Sequence, residues 1–133
     1  MLDFIREYFP ECTRVAAYAT TKAIERKTDE ELRKLREHGL ALVYIGLESG
    51  NEELLLKFNK GVTAAETVKN ALRCKAAGIA ISVTAINGMA GLNGDWQAHA
   101  IDTAKAVSVM KPEFIAFLTL RVYSGTPLHD WIE

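Results

Sequence analysis

Apolar residues along the chain gather into four runs, Arg14 to Tyr18, Leu40 to Leu47, Ile79 to Ile86 and Phe114 to Leu120. They are rich in β-branched residues and show little polar alternation, so they read as strands buried on both faces, the pattern of a parallel sheet. Helix signals fill the intervals. Thr28-Asp29-Glu30-Glu31 and Thr63-Ala64-Ala65-Glu66 each match a capping box, in which hydroxyl and carboxylate satisfy each other's backbone amides. The first box opens a helix with Leu32 and Leu35 on one side and Arg33, Lys34 and Arg36 elsewhere. The second carries Val68, Ala71, Leu72 and Lys75. They end at Gly39 and Gly78, where a left-handed residue costs little.

Asn93-Gly94-Asp95 predicts a cap for a helix from Trp96 to Met110, closed by Lys111-Pro112. Ser49-Gly50-Asn51-Glu52 starts a shorter helix that breaks near Lys60-Gly61, and Leu2 to Phe9 has helical spacing. The predicted order is α-β-α-β-α-α-β-α-β in one α/β domain spanning residues 1–133. Strands alternating with helices require crossover connections, overwhelmingly right-handed, giving a curved or open parallel sheet with helices outside. Ligands of such sheets sit beyond the carboxyl ends of the strands.

Those ends are polar or glycine-rich: Tyr18-Ala19-Thr20-Thr21, Gly46-Leu47-Glu48-Ser49-Gly50, Thr84 through Gly91, and Leu120-Arg121-Val122-Tyr123. Glu48, directly after a buried strand, is placed to accept hydrogen bonds from hydroxyls or an ammonium group, or to favour the dipole of the following helix. Lys60 can swing back over the strand ends toward a carboxylate, or end a helix in solvent. Gly88 to Gly91 permits a phosphate cradle without matching a full nucleotide-binding fingerprint, and Thr84 offers a hydroxyl or simply packs.

The bland readings prevail elsewhere. His38 serves a helix C-terminus, His99 lies on a helix surface, His129 is near the end, and no pair has metal-ligand spacing. Cys12 and Cys74 read as small core residues, Trp96 and Trp131 as packing anchors. The helix from Asp29 to His38 is a solvated outer layer. No Ser/His/Asp or Cys/His group nominates a nucleophile, so any chemistry belongs to a cofactor.

Composition narrows the classes. With 16 Lys plus Arg against 17 Asp plus Glu, the net charge of −1 argues against a protein devoted to nucleic acid or an anionic membrane. No apolar stretch approaches the ~20 residues of a spanning helix, and the N-terminus lacks the plan of a secretory signal. Two cysteines with neither zinc nor iron–sulfur spacing suit a reduced, cytoplasmic protein.

The segment Val43-Tyr44-Ile45-Gly46-Leu47-Glu48-Ser49-Gly50-Asn51, with Leu54 through Thr63, resembles the middle of a radical S-adenosylmethionine enzyme domain. The nearest likeness is to the branch of oxygen-independent coproporphyrinogen oxidase-like, methylthiotransferase-like and cobalamin-binding members. Phe114 to Leu120 followed by Ser124-Gly125-Thr126-Pro127-Leu128 is similar to the last core strand and exit loop of that domain. The resemblance runs from about Arg14 to the C-terminus. It implies a partial TIM-like (β/α) barrel of which the four strands are the third to the sixth of six. It also implies S-adenosylmethionine and a 4Fe-4S cluster in the parent enzyme, whose reduced cluster cleaves the cofactor to a 5′-deoxyadenosyl radical.

Carried over residue by residue, Glu48 matches a position touching the nucleoside or methionine part of the cofactor, and Lys60 one that binds the methionyl carboxylate. Thr84 matches a ribose contact, Ile86 and Gly88 the heart of a GxIxGxxE motif beside adenine, and Leu120 and Arg121 backbone contacts to adenine. Tyr18 stands where some relatives carry an acid. The departures are as specific. The cluster-binding CxxxCxxC loop and the Gly-Gly-Glu-like second-strand edge are absent, and Thr84 and Gly91 replace the outer Gly and Glu of the GxIxGxxE motif. Three thiolates ligate the family's cluster, and Cys12 and Cys74 do not make three.

The expectation is therefore a truncated partial-barrel domain, inactive alone and retaining neither cofactor, with a possible homo-oligomer contact through the exposed edge of its first strand. The alternatives are a degenerate, cluster-free module holding a nucleoside-like ligand, and an unrelated flavodoxin-like or barrel-fragment protein.

Overall fold

A computed structural model describes residues 1–131. Among them β1 (Val15–Tyr18), β2 (Leu40–Glu48), β3 (Ala80–Asn87) and β4 (Phe114–Thr119) form one sheet in the order β1-β2-β3-β4, with every neighbouring pair parallel. The helices are α1 (Leu2–Tyr8), α2 (Thr21–Glu25), α3 (Asp29–Glu37), α4 (Glu52–Lys57), α5 (Ala64–Ala76), α6 (Trp96–Met110) and α7 (Pro127–Asp130). Sequential strand order with a helical crossover at each step is the signature of (β/α) barrel units, as the sequence predicts. Two short helices, α2 and α7, lie outside the predicted set. Five and four residues long, they are too brief for apolar periodicity to register.

Both capping boxes form. Thr28 Oγ1 accepts from the Glu31 amide at 3.1 Å while Glu31 Oε2 accepts from the Thr28 amide at 2.7 Å. Thr63 and Glu66 repeat the arrangement at 3.0 and 2.7 Å. Gly39 and Gly78 take φ of 109° and 81°, the left-handed conformation that ends α3 and α5. Asp95 caps α6 through the Ala98 amide at 2.7 Å.

One face of the sheet packs on the helices. Val43, Ile45 and Leu47 of β2 and Ile81 and Val83 of β3 join Ile24, Leu32, Leu55, Ala71, Cys74 and Met110 in the core. Strand alternation then puts Tyr44, Gly46, Glu48, Thr84 and Ile86 on the opposite face, which would be the inside of a barrel. Register carries that face sideways to Tyr18 of β1 and to Ala116 and Leu118 of β4.

In β2 and β3 the helix-side face is buried and the inner face is buried at Leu42 and Ser82 but half-buried at Tyr44, Gly46, Glu48, Thr84 and Ile86, whereas the outer strands are largely exposed. All six residues of β4 are exposed, Phe114, Ile115, Phe117 and Leu118 among them, and so are Ala16 to Tyr18 of β1. An edge strand has a neighbour on one side only, and hydropathy alone does not report where a sheet stops. Cys74 is a core residue as expected, whereas Cys12 is exposed. Trp96 is 62% exposed and anchors little, its helix start lying beyond the core. Trp131 does pack, edge-on to Phe58 at 6.0 Å between ring centroids.

Candidate functional site

At the carboxyl end of β2 the chain leaves regular pairing. Gly46 pairs with Thr84, but the next partner, Ala85, faces Glu48, so the register slips and Leu47 is the extra residue. Glu48 takes φ of 64°, a left-handed conformation that costs a non-glycine residue about 1–2 kcal/mol. It is the last strand residue, not one beyond it, and it does not cap the next helix. Asn51 does, accepting from the Leu54 amide at 3.1 Å.

The Glu48 carboxylate meets Lys60. Asn59 at φ 52° and Gly61 at φ 73° turn the chain after α4, and Lys60 Nζ donates to Glu48 Oε1 at 2.9 Å. About three-quarters of each side chain is withdrawn from solvent. Gly46 makes the space: a Cβ there would lie 2.2 Å from Glu48 Oε1 and 3.2 Å from Lys60 Nζ. The lysine thus returns over the strand ends to a carboxylate rather than standing free in solvent.

One strand further, Gly88 turns at φ 92° and a Cβ there would touch the Leu120 Cβ at 3.6 Å. The Leu120 amide donates to the Asn87 carbonyl at 2.9 Å, fastening the loop after β4 to the end of β3. Gly88 and Leu120 are therefore brought together, with exposed Arg121 just beyond. Thr84 and Ile86 share the inner face with Gly46 and Glu48. Every expected cofactor contact accordingly lies on the inner face or carboxyl edge of β2, β3 and β4, in two groups, Glu48–Lys60 and Gly88–Leu120.

Sequence reasoning missed what holds this edge in place. His99 is 8% exposed on the inner side of α6, not on its surface. Its Nδ1 lies 2.8 Å from Ser49 Oγ and its Nε2 3.0 Å from the Ile86 carbonyl oxygen. A carbonyl only accepts, so Nε2 carries a proton, and in the neutral ring Nδ1 then accepts from the Ser49 hydroxyl. Ser49 Oγ in turn accepts from the Asn51 amide at 2.9 Å. One turn on, Thr103 Oγ1 donates to the His99 carbonyl at 2.6 Å and accepts from the Gly50 amide at 2.9 Å. Asn51 Nδ2 donates to Asp102 Oδ2 at 2.9 Å, which holds that carboxyl below its ordinary value of 3.8. The available signal was the trio His99, Asp102 and Thr103 at helical spacing in an alanine-rich helix. It is faint because any polar residue on an amphipathic helix reads first as solvent-facing.

His38, at the C-terminus of α3, has Nδ1 2.6 Å from Asp3 Oδ1. An apolar groove of about 440 Å³ between α6 and β4 reaches the carboxyl edge from the helix side of the sheet, lined by Ile86, His99 and Thr103 as well as Val107, Ile115 and Phe117. Among the described residues no helix is long and apolar enough to cross a membrane, and no group of His, Cys, Asp or Glu is placed to hold a metal ion.

A parallel sheet of consecutive βα units, with a charged pair and a glycine turn at its carboxyl edge, defines the chain as part of a (β/α) barrel. Residues 6–104 match the sequence model of the radical SAM superfamily, and the chain belongs to that family. Solved structures of the same fold include methylornithine synthase, 19% identical with a TM-score of 0.74 over 96% of this chain and 34% of that one. A second is the radical S-adenosylmethionine methyltransferase TsrM from Kitasatospora setae with cobalamin and [4Fe-4S] cluster bound, 22% identical with a TM-score of 0.70 over 96% and 25%. A third is Elp3 from Methanocaldococcus infernus, 19% identical with a TM-score of 0.71 over 90% and 27%. The chain thus spans between a quarter and about a third of the length of these proteins. A search of curated protein sequences gives no match.

Family membership implies S-adenosylmethionine and a 4Fe-4S cluster in the parent enzymes, and the residues present meet the two differently. The carboxylate of Glu48 and the ammonium of Lys60, paired over Gly46, are complementary to the two charges of the amino-acid end of S-adenosylmethionine. The thiols do not suit a cluster. Cys12 is exposed ahead of the amino-terminal end of β1, with its Sγ donating to the Arg14 carbonyl. Cys74 is buried in α5, and burial pushes its pKa up to about 11, away from the thiolate that ligation requires.

Proposed function

We propose that this chain forms the S-adenosylmethionine-binding wall of a radical SAM enzyme of the branch containing coproporphyrinogen oxidase-like, methylthiotransferase-like and cobalamin-binding members. The observation that carries the reading is the Glu48–Lys60 pair, a carboxylate and an ammonium held together over Gly46 at the carboxyl edge of β2. Glu48 accepts from the cofactor's ammonium or ribose hydroxyls, and Lys60 donates to its methionyl carboxylate. Thr84 offers its hydroxyl to the ribose. Ile86 and the Gly88 turn let adenine approach the backbone, and Leu120 and Arg121 close the adenine side through backbone groups. Bound at a reduced cluster, the cofactor supplies radical chemistry, and the cluster itself is held by ligands other than Cys12 and Cys74.

A ligand that bridges the pair has to displace the Lys60 Nζ–Glu48 Oε1 hydrogen bond or share it. Either route replaces one charge-assisted contact by two, since the zwitterionic amino-acid end carries both signs. The two side chains fix orientation more than affinity, because each is partly open to water and screened there.

Saturation-transfer NMR with S-adenosylmethionine as the probe tests this at the weak affinities expected of this wall alone. The expected result is transfer to the cofactor's methionine and adenine protons, with several-fold weaker binding in Glu48→Ala and in Lys60→Ala. Unchanged binding in both variants would remove the pair from the site, and no transfer to the wild-type chain's ligand would defeat the reading.

A further inference from the structure

Glu48 and the Ile86–Gly88 turn lie on different strands, and a single imidazole joins the backbone behind them. His99 accepts from Ser49, the residue after Glu48, and donates to the carbonyl of Ile86. Ser49 is fully buried. Its hydroxyl therefore has no water to turn to, and with a neutral ring the protons around it have one consistent assignment: Asn51 amide to Ser49 Oγ, Ser49 hydroxyl to Nδ1, Nε2–H to Ile86. Glu48 lies in an unfavourable left-handed conformation immediately before this lock. Strained backbone persists where its surroundings over-determine it. The surroundings here are Ser49 and Gly50, both bound by α6.

We infer that His99 is a positioning residue that sets the separation of the β2 and β3 ends, and so the spacing between the carboxylate contact at Glu48 and the adenine-side turn at Gly88. The inference rests on the cofactor reading given above, but its mechanical half is measurable without any ligand. The two ring nitrogens do different work, so they can be removed separately. An Asn side chain places its amide near the position of Nδ1 and a Gln side chain near that of Nε2. His99→Gln therefore keeps the Ile86 tether and frees Ser49, while His99→Asn keeps the Ser49 partner and frees Ile86.

Three measurements on the described chain test this. In the wild-type protein, imidazole ¹⁵N shifts should show the Nε2–H tautomer of His99. An Nδ1–H tautomer would overturn the inference with no substitution needed. Hydrogen exchange in His99→Gln should accelerate about tenfold at the Gly50 and Asn51 amides, and in His99→Asn at the Gly91 and Leu120 amides, with Ile45 and Val83 unchanged in both. Uniform acceleration that includes Ile45 and Val83 would mark His99 as ordinary core and overturn the positioning role. Affinity for S-adenosylmethionine should fall several-fold in each variant. If the wild-type chain binds no S-adenosylmethionine, the cofactor reading fails and the ligand half of this inference fails with it. If binding is intact in both variants, the tether does not position the contacts, and only the inference falls.

Discussion

Adding one methyl group at Gly50 should cost more stability than its exposure or backbone conformation suggests. Gly50 is not in the left-handed region, so Gly50→Ala meets no backbone strain, and at a compatible site such a change stabilises by roughly 0.4–1 kcal/mol through the unfolded chain. The obstacle is space. A Cβ at Gly50 would lie 2.2 Å from the Asp102 carbonyl oxygen, 2.4 Å from its carbon and 2.5 Å from the Thr103 nitrogen. All three atoms are α6 backbone, so relief requires the helix and the strand end to part by about 1 Å, an overpacking cost of about 1–3 kcal/mol. Parting them also stretches the Gly50–Thr103 and Ser49–His99 hydrogen bonds, each worth about 1 kcal/mol. The net expectation is a loss of about 2–4 kcal/mol.

At about 4 °C per kcal/mol for a domain of this size, that is a fall in melting temperature of roughly 8–16 °C. Thermal and urea unfolding followed by circular dichroism would measure it. Gly46→Ala is the internal comparison, because its nearest obstacles, Glu48 Oε1 and Lys60 Nζ, are the ends of flexible side chains. It should lose less than about 1 kcal/mol while displacing the charged pair. A Gly50→Ala protein as stable as wild type would refute the close approach of α6 to the β2 end.

Thr63→Ala should cost about 1 kcal/mol in urea denaturation by removing the α5 capping box, and an unchanged midpoint would show that α5 is held by packing alone. Acidification should destabilise the fold. The Thr28 and Thr63 amides hold the Glu31 and Glu66 carboxyls below their ordinary value of 4.5. For Glu113, burial pushes upward but the Ile81 amide and Lys75 outweigh it, so this carboxyl is also lowered. Groups with depressed folded-state values stabilise above the unfolded value and lose that contribution as pH falls through the folded one. The urea midpoint should therefore drop between about pH 6 and about pH 3, and a flat profile would contradict these contacts. The exposed outer edge of β1 offers unpaired amides and carbonyls beside Tyr18. Light scattering should detect species above 14.7 kDa, and a strict monomer would show that the edge is protected in solution.

The sequence by itself determined the local structure. The two threonine–glutamate boxes, the left-handed glycines at Gly39 and Gly78, and the apolar runs of β2 and β3 are short-range physics. A capping hydroxyl finds its amide three residues away whatever the rest of the chain does. The resemblance assigned the expected contacts, of which Glu48, Gly88 and Leu120 stand at the carboxyl edge of the sheet and Thr84 and Ile86 on its inner face. Three things were decided by tertiary structure. Exposure of β1 and β4 depends on which strands lie beside them, which hydropathy does not encode. The left-handed turn at Glu48 arises from a register slip against β3, a relation between strands distant in sequence. The burial of His99 exists only because α6 folds back over the β2 end, bringing Ser49 and Ile86 to opposite nitrogens of one ring. A polar side chain on a helix declares its chemistry in the sequence, but its partners are chosen by packing.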